Sequence, residues 1–403
     1  MPPPPSVPAE SPAASQFPSA ALQKIIRLRE LFARIPDRRV AGRVLHALPE
    51  VLLIALCAMV SDCEDFTDMG LFAQTQLVWL RQFTPLVNGA PSHDVFRNVF
   101  MALRPAALLE IMQIWVGELD GQHVAIDGKV SRGAKDTHTG KSSLHLLRAW
   151  VSAASLSVGQ EACAGKSNEL DALPRLLASL QLKGAIVTID AMGGHPHIAE
   201  AIRAAGADYI LALKANEKKA FEEIEKHFKS IRPEDAGAAW PESCAVSTST
   251  EMNRGRCETR EVVVIASLDW FTKSWKWQGL QSVICVRRLT MRQRHAGENP
   301  AEEIHYYVSS LPGDCKRLGR FIRRHWSVEN ECHHVLDVTY HEDHCQVRDQ
   351  TAAHNLTLIR EIATKVIKAN PLKGSIRSKR KRAALDPAFR RTITDLIFHT
   401  FDA

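Results

Sequence analysis

The chain has 403 residues, a length that exceeds one ordinary domain and predicts two or three. Hydrophobic residues make up 45% of it, which is enough to build a sizeable core. The net charge of +6 is compatible with nucleic acid as a partner, but many enzymes are equally basic, so the charge alone decides nothing.

Two further features of the sequence indicate the cellular compartment of the protein. The nine cysteines are scattered and form no CxxC pair, which argues against a disulfide framework. The most apolar run, Leu48 to Val60, is shorter than the ~20 residues that a membrane-spanning helix needs. We therefore expect a cytoplasmic protein with reduced thiols and no membrane partner.

The N-terminal part is predicted to be a disordered tail followed by helices. Residues 1–20 are rich in proline, alanine and serine, which favours disorder. Residues 21–119 are predicted to form an all-helical domain, because their apolar residues recur at steps of three and four. The first helix face consists of Leu22, Ile25, Leu28, Phe32 and Ile35. Further helices are predicted over 48–60, 66–82, 95–103 and 105–116.

The pattern changes at residue 122, where short apolar runs of strand length begin. Strands are predicted over 124–127, 145–154, 155–164, 185–190 and 208–213, and helices over 168–182 and 198–205. The order strand, strand, strand, helix, strand, helix, strand is typical of a ribonuclease H-like sheet. The predicted fold is therefore α/β, with a ribonuclease H-like core after the helical domain.

The second half of the chain is predicted to interrupt and then complete this core. Residues 215–304 form a β-strand-rich insertion, and the core comprises 120–214 and 305–368. Strands are predicted over 244–250, 259–266, 282–289 and 304–309, and helices from 315 past 329 and over 351–368. Residues 369–403 are predicted to be a basic tail.

Two acids follow apolar strands of the predicted core. Asp127 follows Val124-Ala125-Ile126, and Asp190 follows Ile186-Val187-Thr188-Ile189. Either one alone is most simply a turn or cap residue. Together with an acid from a downstream helix, however, they form the carboxylate set that holds two Mg²⁺ ions about 4 Å apart for phosphodiester cleavage.

The sequence resembles a known family, the H-repeat-associated transposases, a branch of the DDE insertion-sequence transposases. The resemblance covers residues 22 to 368 and depends on ordered blocks of sequence. These blocks are Ile35–Arg39, Pro91–Asp94, Ile126–Lys129, Arg132–Asp136, Leu144–Leu146, Lys166–Glu169, Thr188–Gly193, Gly206–Lys214, Gly255–Arg260 and Arg324–Asn330, with His333 and Leu336–Val338.

This resemblance implies an activity and a site. Asp127, Asp190 and Glu329 are implied as the catalytic acids and as ligands of two Mg²⁺ ions, for which Mn²⁺ can substitute. The implied reaction is strand cleavage at the ends of a DNA element followed by strand transfer into target DNA. Double-stranded DNA is the implied partner, and a homodimer on DNA is implied because two ends must be brought together.

The sequence departs from the family pattern at two places. Cys332-His333-His334 stands where the family has Leu-His-Trp, which puts the packing of the glutamate helix in question. Ala215-Asn216-Glu217 stands where the family has Gly-Asn-Gln after the strand that ends at Lys214. The first departure does not remove an implied metal ligand.

Several basic residues are candidates for binding DNA. Lys129 lies two residues after Asp127 and is either a phosphate contact or a solvated lysine. His325 precedes Glu329 by four residues, which places both on one face of a continuous helix. The neighbouring Trp326 is interpreted as a core anchor rather than a base-stacking group. The other candidates are Arg320, Arg323 and Arg324 on the same helix and Lys379, Arg380, Lys381 and Arg382 in the tail.

Two alternatives stay open at the level of sequence. A ribonuclease H-like DNA nuclease would cut DNA without joining it to a target. A non-catalytic DNA-binding relic would bind without cutting, although the intact acids at 127, 190 and 329 argue against this.

Overall fold

The computed structural model describes residues 28–40, 42–131, 144–163, 169–232, 239–253, 255–292 and 300–398. These residues form a mixed α/β protein with one large sheet and an N-terminal helical region. The predicted tail over 1–20 and the start of the first predicted helix lie outside the described residues. The same holds for the blocks Arg132–Asp136 and Lys166–Asn168.

The N-terminal helical region packs together with the last helices of the chain. Its helices are α1 Leu28–Ala33, α2 Leu48–Val60, α3 Phe66–Thr75, α4 Leu77–Leu80, α5 His93–Ala102 and α6 Pro105–Val116. The C-terminal helices are α12 Gln350–Ala369, α13 Ile376–Leu385 and α14 Pro387–Phe398. Each of them buries several residues in one apolar core, except α4 and α13, which add only Leu80 and Ala383. None of the described helices alone is long and apolar enough to cross a membrane, and α5 and α6, which meet both criteria jointly, are bent by 83°.

The nine described strands form a single sheet. They are β1 His123–Ser131, β2 Leu144–Val151, β3 Leu156–Cys163, β4 Ile186–Ile189, β5 Asp208–Leu213, β6 Cys244–Asn253, β7 Arg256–Ile265, β8 Ser282–Arg292 and β9 Ala301–Ser309. Their spatial order is β3-β2-β1-β4-β5-β9-β8-β7-β6. The pairs β1–β4 and β4–β5 are parallel, and every other neighbouring pair is antiparallel.

Helices cover both faces of the sheet. One face packs against α7 Glu169–Ala178, α8 Pro196–Ala204 and α9 Lys218–Ile231 through a large apolar core. The opposite face packs against α10 Cys315–His325, whose Leu318 and Ile322 are buried. Because side chains alternate along a strand, each strand contributes every second residue to the α10 face.

The predicted insertion does not form a separate unit. β9 pairs with β5, with Ala212 opposite Tyr307, so the strands β6 to β9 extend the sheet of the core. The predicted boundary between 304 and 305 falls inside β9. The helix α9 was missed because its charged residues obscured an apolar stripe of Ala220, Ile224 and Phe228.

The prediction of one continuous α-helix from residue 315 past Glu329 is wrong. α10 ends at His325, a π-helical turn spans Val328–His333, and α11 covers His334–Thr339. Single π-helical turns are frequent at functional sites. The separation of His325 from Glu329 therefore does not follow the spacing of one α-helix.

The basic C-terminal segment is folded, contrary to the prediction of a tail. Arg380 is fully buried and donates hydrogen bonds to the carbonyl oxygens of Met59 at 2.9 Å and Cys63 at 2.9 Å, and to that of Thr339. Lys379 is also buried, and its Nζ donates to the carbonyl of Asn370 at 2.7 Å. These two side chains join helices and cannot be the DNA contacts that the sequence predicted.

Replacing Arg380 tests this assignment. Arg380→Leu should lower the free energy of unfolding by about 3 to 5 kcal/mol, because three carbonyl groups lose their donor. The neighbouring exposed residue gives the matched control: Lys381→Leu should change stability by less than ~0.5 kcal/mol. Denaturant unfolding followed by circular dichroism measures both, and equal stability of the two variants would contradict the assignment.

Candidate active site

The two aspartates lie side by side at the junction of β1 and β4. The parallel register pairs Ile126 with Ile189, so the next residues are Asp127 and Asp190. Ile126 and Ile189 point into the core on the α7 and α8 side, and the aspartates therefore point to the α10 face. β1 continues past Asp127 because it stays paired with β2 as far as Ser131, so the strand does not end at the acid as predicted.

Backbone amides hold one oxygen of each aspartate. Asp127 Oδ1 accepts a hydrogen bond from the amide of Gly128 at 2.9 Å. Asp190 Oδ1 accepts one from the amide of Met192 at 3.1 Å and caps the short 3₁₀ turn that follows β4. The other oxygen of Asp127 is 3.5 Å from Nδ1 of His333, which belongs to the π-helical turn.

Glu329 completes a set of three acids that line one cleft of about 740 Å³. Its side chain is exposed and projects from the π-helical turn. The floor of the cleft is the face of the sheet that packs against α10, across the neighbouring strands β1, β4, β5, β9, β8 and β7. Glu251 of the edge strand β6 lies at the far end of the cleft. α10 and the residues after it form the wall.

The acids disturb one another electrostatically. Burial, and then the neighbouring charge of Asp190, raises the pKa of Asp127 to about 7, with Glu329 acting in the same direction. Burial and Asp190 also raise the pKa of Glu329. The three carboxylates are therefore close enough for mutual repulsion, which a bound cation would relieve.

The donor chemistry fits a divalent cation, although the side chains are not yet arranged around one. Three carboxylates on one cleft are the oxygen ligands that Mg²⁺ and Mn²⁺ prefer. Within the described ranges, no three Asp, Glu, His or Cys side chains come together closely enough to hold an ion as they stand. The exposed side chain of Glu329 can change rotamer without repacking the core.

Four of the predicted DNA-binding residues line this cleft. They are Arg320, Arg323, Arg324 and His325. Trp326 also lines the cleft and is 50% exposed, so its interpretation as a core anchor is wrong. Lys381 and Arg382 are exposed on α13 but are not part of the cleft lining.

Lys129 is not available to DNA. It is 7% exposed, and its Nζ donates to Asp337 at 2.7 Å and to Glu342 at 3.0 Å. Neither a phosphate contact nor a solvated lysine describes this residue. The sequence could not show this, because both partners lie more than 200 positions away.

A chain of hydrogen bonds holds His325 from beneath the cleft. Thr188 Oγ1 lies 2.9 Å from Nδ1 of His325 and 2.8 Å from Nε2 of His123. Nδ1 of His123 lies 3.0 Å from Ser152 Oγ, which in turn is 2.9 Å from Ser327 Oγ. Burial lowers the pKa of both histidines, so they are neutral near pH 7. Because Thr188 engages Nδ1, the nitrogen of His325 left for a ligand in the cleft is Nε2.

Two arginines of the cleft lining were not identified from the sequence. Arg260 and Arg288 extend from β7 and β8 on the same face as the aspartates. Alternation along these strands could have shown that they share a face with buried valines. The strand order that brings this face next to Asp190 could not be derived from the sequence.

Comparison with known proteins identifies the family. Residues 29–116 match the family described as DDE_Tnp_1-associated, and residues 113–364 match the family described as Transposase DDE domain. The chain is 34% identical over 373 residues to the H repeat-associated putative transposase YhhI of Escherichia coli K12, covering 89% of this chain and 95% of that protein. It is 32% identical over 370 residues to Putative transposase YncI of Escherichia coli O157:H7, covering 90% of this chain and 93% of that protein.

A solved structure of piggyBac transposase, in a synaptic complex with hairpin DNA, is similar at a TM-score of 0.40 and 9% identity, over 96% of this chain and 81% of that one. That likeness is too distant to bear on the fold. The family match spans more than half of the chain, and the relatives are matched over nearly their whole length. The resemblance inferred from the motifs is thus confirmed, and the chain belongs to the DDE transposase family, among the H-repeat-associated transposases.

Proposed function

We propose that this protein is the transposase of an insertion sequence, which cuts DNA at the ends of its element and joins the cut end to target DNA. The observation that carries the proposal is the cleft in which acids from three separate segments face a basic helix. We also propose that β1 to β5, with strand order β3-β2-β1-β4-β5, form a ribonuclease H-like core.

In this proposal, Asp127, Asp190 and Glu329 hold two Mg²⁺ ions, for which Mn²⁺ can substitute. Bound metal would supply an activated water or 3′-hydroxyl and neutralise charge on the leaving oxygen. The chain itself provides positioning. The amides of Gly128 and Met192 fix the two aspartates, while Arg320, Arg324 and His325 bind phosphates beside the acids.

The proposed partner is double-stranded DNA, both at the element ends and at the target. Phosphate contacts from the basic helix would fix the register of the duplex without specifying its sequence. Two ends must meet for an element to move, so we propose a homodimer on DNA that acts in the cytoplasm at the nucleoid. The N-terminal helical region is the proposed reader of the end sequences.

Substitution of the three acids tests the reaction. Asp127→Asn, Asp190→Asn and Glu329→Gln should each slow metal-dependent nicking by roughly a thousandfold or more, or about 4 kcal/mol of transition-state stabilisation. The assay follows nicks in labelled DNA that carries the repeats flanking this gene, with Mg²⁺ or Mn²⁺. Joining of the cut end to a plasmid is scored in the same reactions.

Glu331→Gln is the matched control. Glu331 lines the same cleft, two residues from Glu329, but pairs with Lys368 at 3.1 Å. This variant should keep most of the activity. Nicking that survives any of the three acid substitutions would remove that acid from the site. Nicking without joining would favour a nuclease, and specific binding without nicking would favour a non-catalytic relic.

The raised pKa of Asp127 predicts how the metal-free protein responds to pH. The folded state holds this proton more tightly than the unfolded state. Its contribution to stability is therefore complete below about pH 4 and is lost as the pH rises through about 7. Asp127→Asn has no such proton to lose, so near pH 8 it should be more stable than wild type by on the order of 2 to 4 kcal/mol.

Thermal unfolding across this pH range, without metal, measures the difference. The gap between Asp127→Asn and wild type should close as the pH falls toward 4, whereas Glu331→Gln should follow wild type throughout. Mg²⁺ should raise the melting temperature of wild type but not of Asp127→Asn, since a ligand stabilises only the state that binds it. Parallel curves for Asp127→Asn and wild type would show that the carboxylates do not strain the site.

A further inference from the structure

Two arginines lie directly opposite each other at the far end of the cleft. The register of β7 with β8 pairs Arg260 with Arg288, and both side chains line the cleft. Like charges on directly opposed residues destabilise an antiparallel pair. Such a local conflict in the lining of a cleft points to a ligand of opposite charge.

A third arginine and three glutamates complete this cluster, and Arg288 of β8 pairs with Glu303 of β9 at 2.5 Å. Arg323 of α10 pairs with Glu251 of β6, and Arg260 pairs with Glu258. Glu251 also lies 3.6 Å from Nη1 of Arg260. Burial and then the charge of Arg323 lower the pKa of Arg260, while Glu258 and Glu251 act in the opposite direction.

The glutamates satisfy the arginines incompletely. Nη1 of Arg260 and Nε of Arg288 are buried and have no hydrogen-bond partner among the described groups. Three guanidinium groups therefore converge on a place where the nearby carboxylates leave donors unused. Arginine forks match the oxygens of a phosphate, which can accept from more than one guanidinium at once.

The cluster lies at a defined distance from the acids along the same face of the sheet. β8 is three strands from β4, and Arg288 is four residues beyond the position level with Asp190. Strand spacing and residue rise place it about 20 Å from the acids. That span corresponds to roughly six nucleotides of a DNA strand along the helix axis.

We propose that Arg260, Arg288 and Arg323 form a second phosphate-binding site, which holds the DNA backbone about six nucleotides from the scissile phosphate. Glu251, Glu258 and Glu303 occupy the arginines in the free protein and give way to phosphate when DNA binds. The inference rests on the proposed function, because it takes DNA as the ligand. It adds a site remote from the acids and an internal competitor for that site.

Removing an arginine and removing a glutamate should change DNA affinity in opposite directions. This difference distinguishes a phosphate-binding site from an ion cluster that only stabilises the sheet. Arg288→Gln should weaken binding of a labelled DNA duplex carrying the flanking repeats and should reduce the log–log salt slope by about one. Glu251→Gln should strengthen binding several-fold, because it removes the competitor. If the cluster only stabilised the sheet, both variants would unfold more easily and bind DNA equally well.

The opposite face of the same strands supplies matched controls. Glu261 of β7 pairs in register with Arg287 of β8, facing away from the cleft residues. Arg287→Gln and Glu261→Gln make the same charge changes and should leave the affinity and the salt slope unchanged. Fluorescence anisotropy over a range of salt concentrations measures all four variants, and circular dichroism confirms that each one is folded.

Ethylation interference on wild-type protein needs no variant. Ethylated phosphates should block binding both at the nick and about six nucleotides from it. Equal DNA affinity of Arg288→Gln and Arg287→Gln, or interference confined to the nick, would overturn this site. If the wild-type protein still binds and nicks the DNA in that case, the proposed function is unaffected. Absence of wild-type binding and nicking would overturn both.

Discussion

The parallel pairing of β1 with β4 is the constraint on which the candidate site depends. It places Asp127 and Asp190 on adjacent strands at the same level, where two like charges must coexist at a partly buried position. The strands tolerate this because their other residues are deeply buried and a backbone amide binds one oxygen of each acid. The protein therefore keeps an electrostatic strain that only a cation or a proton can relieve.

The third acid is held in relation to this pair by buried charges rather than by apolar packing alone. Arg148 lies fully buried under the π-helical turn, with Nη1 at 3.6 Å from Sγ of Cys332. Lys129, on the same strand as Asp127, pairs with Asp337 and Glu342 just beyond that turn. Buried ion pairs stabilise a fold weakly but are costly to break individually. They therefore fix the position of the turn that carries Glu329.

Local sequence patterns predicted the elements well but not how they assemble. The strands that lead to Asp127 and Asp190 were predicted because short apolar runs are visible in the sequence. The charges of 379–382 predicted a tail because sequence shows the cations and not the carbonyl groups that receive Arg380. The burial of Lys129 and the extension of the sheet by β9 both depend on partners that are distant in the chain. Such tertiary pairing has no local signal.

The distribution of charge along the cleft explains why these parts belong together. One end carries three acids that repel a polyanion as long as no cation is bound, and the other end carries three arginines that are paired with glutamates. In the proposed complex, a DNA strand would bind the metal-free cleft through its basic residues, both in this cluster and on α10. Metal held by Asp127 and Asp190 would lower the repulsion at the acidic end and so favour phosphate binding there. The sheet, as a continuous floor, sets the distance between these two ends, and in the proposed complex it would determine which phosphate reaches the acids.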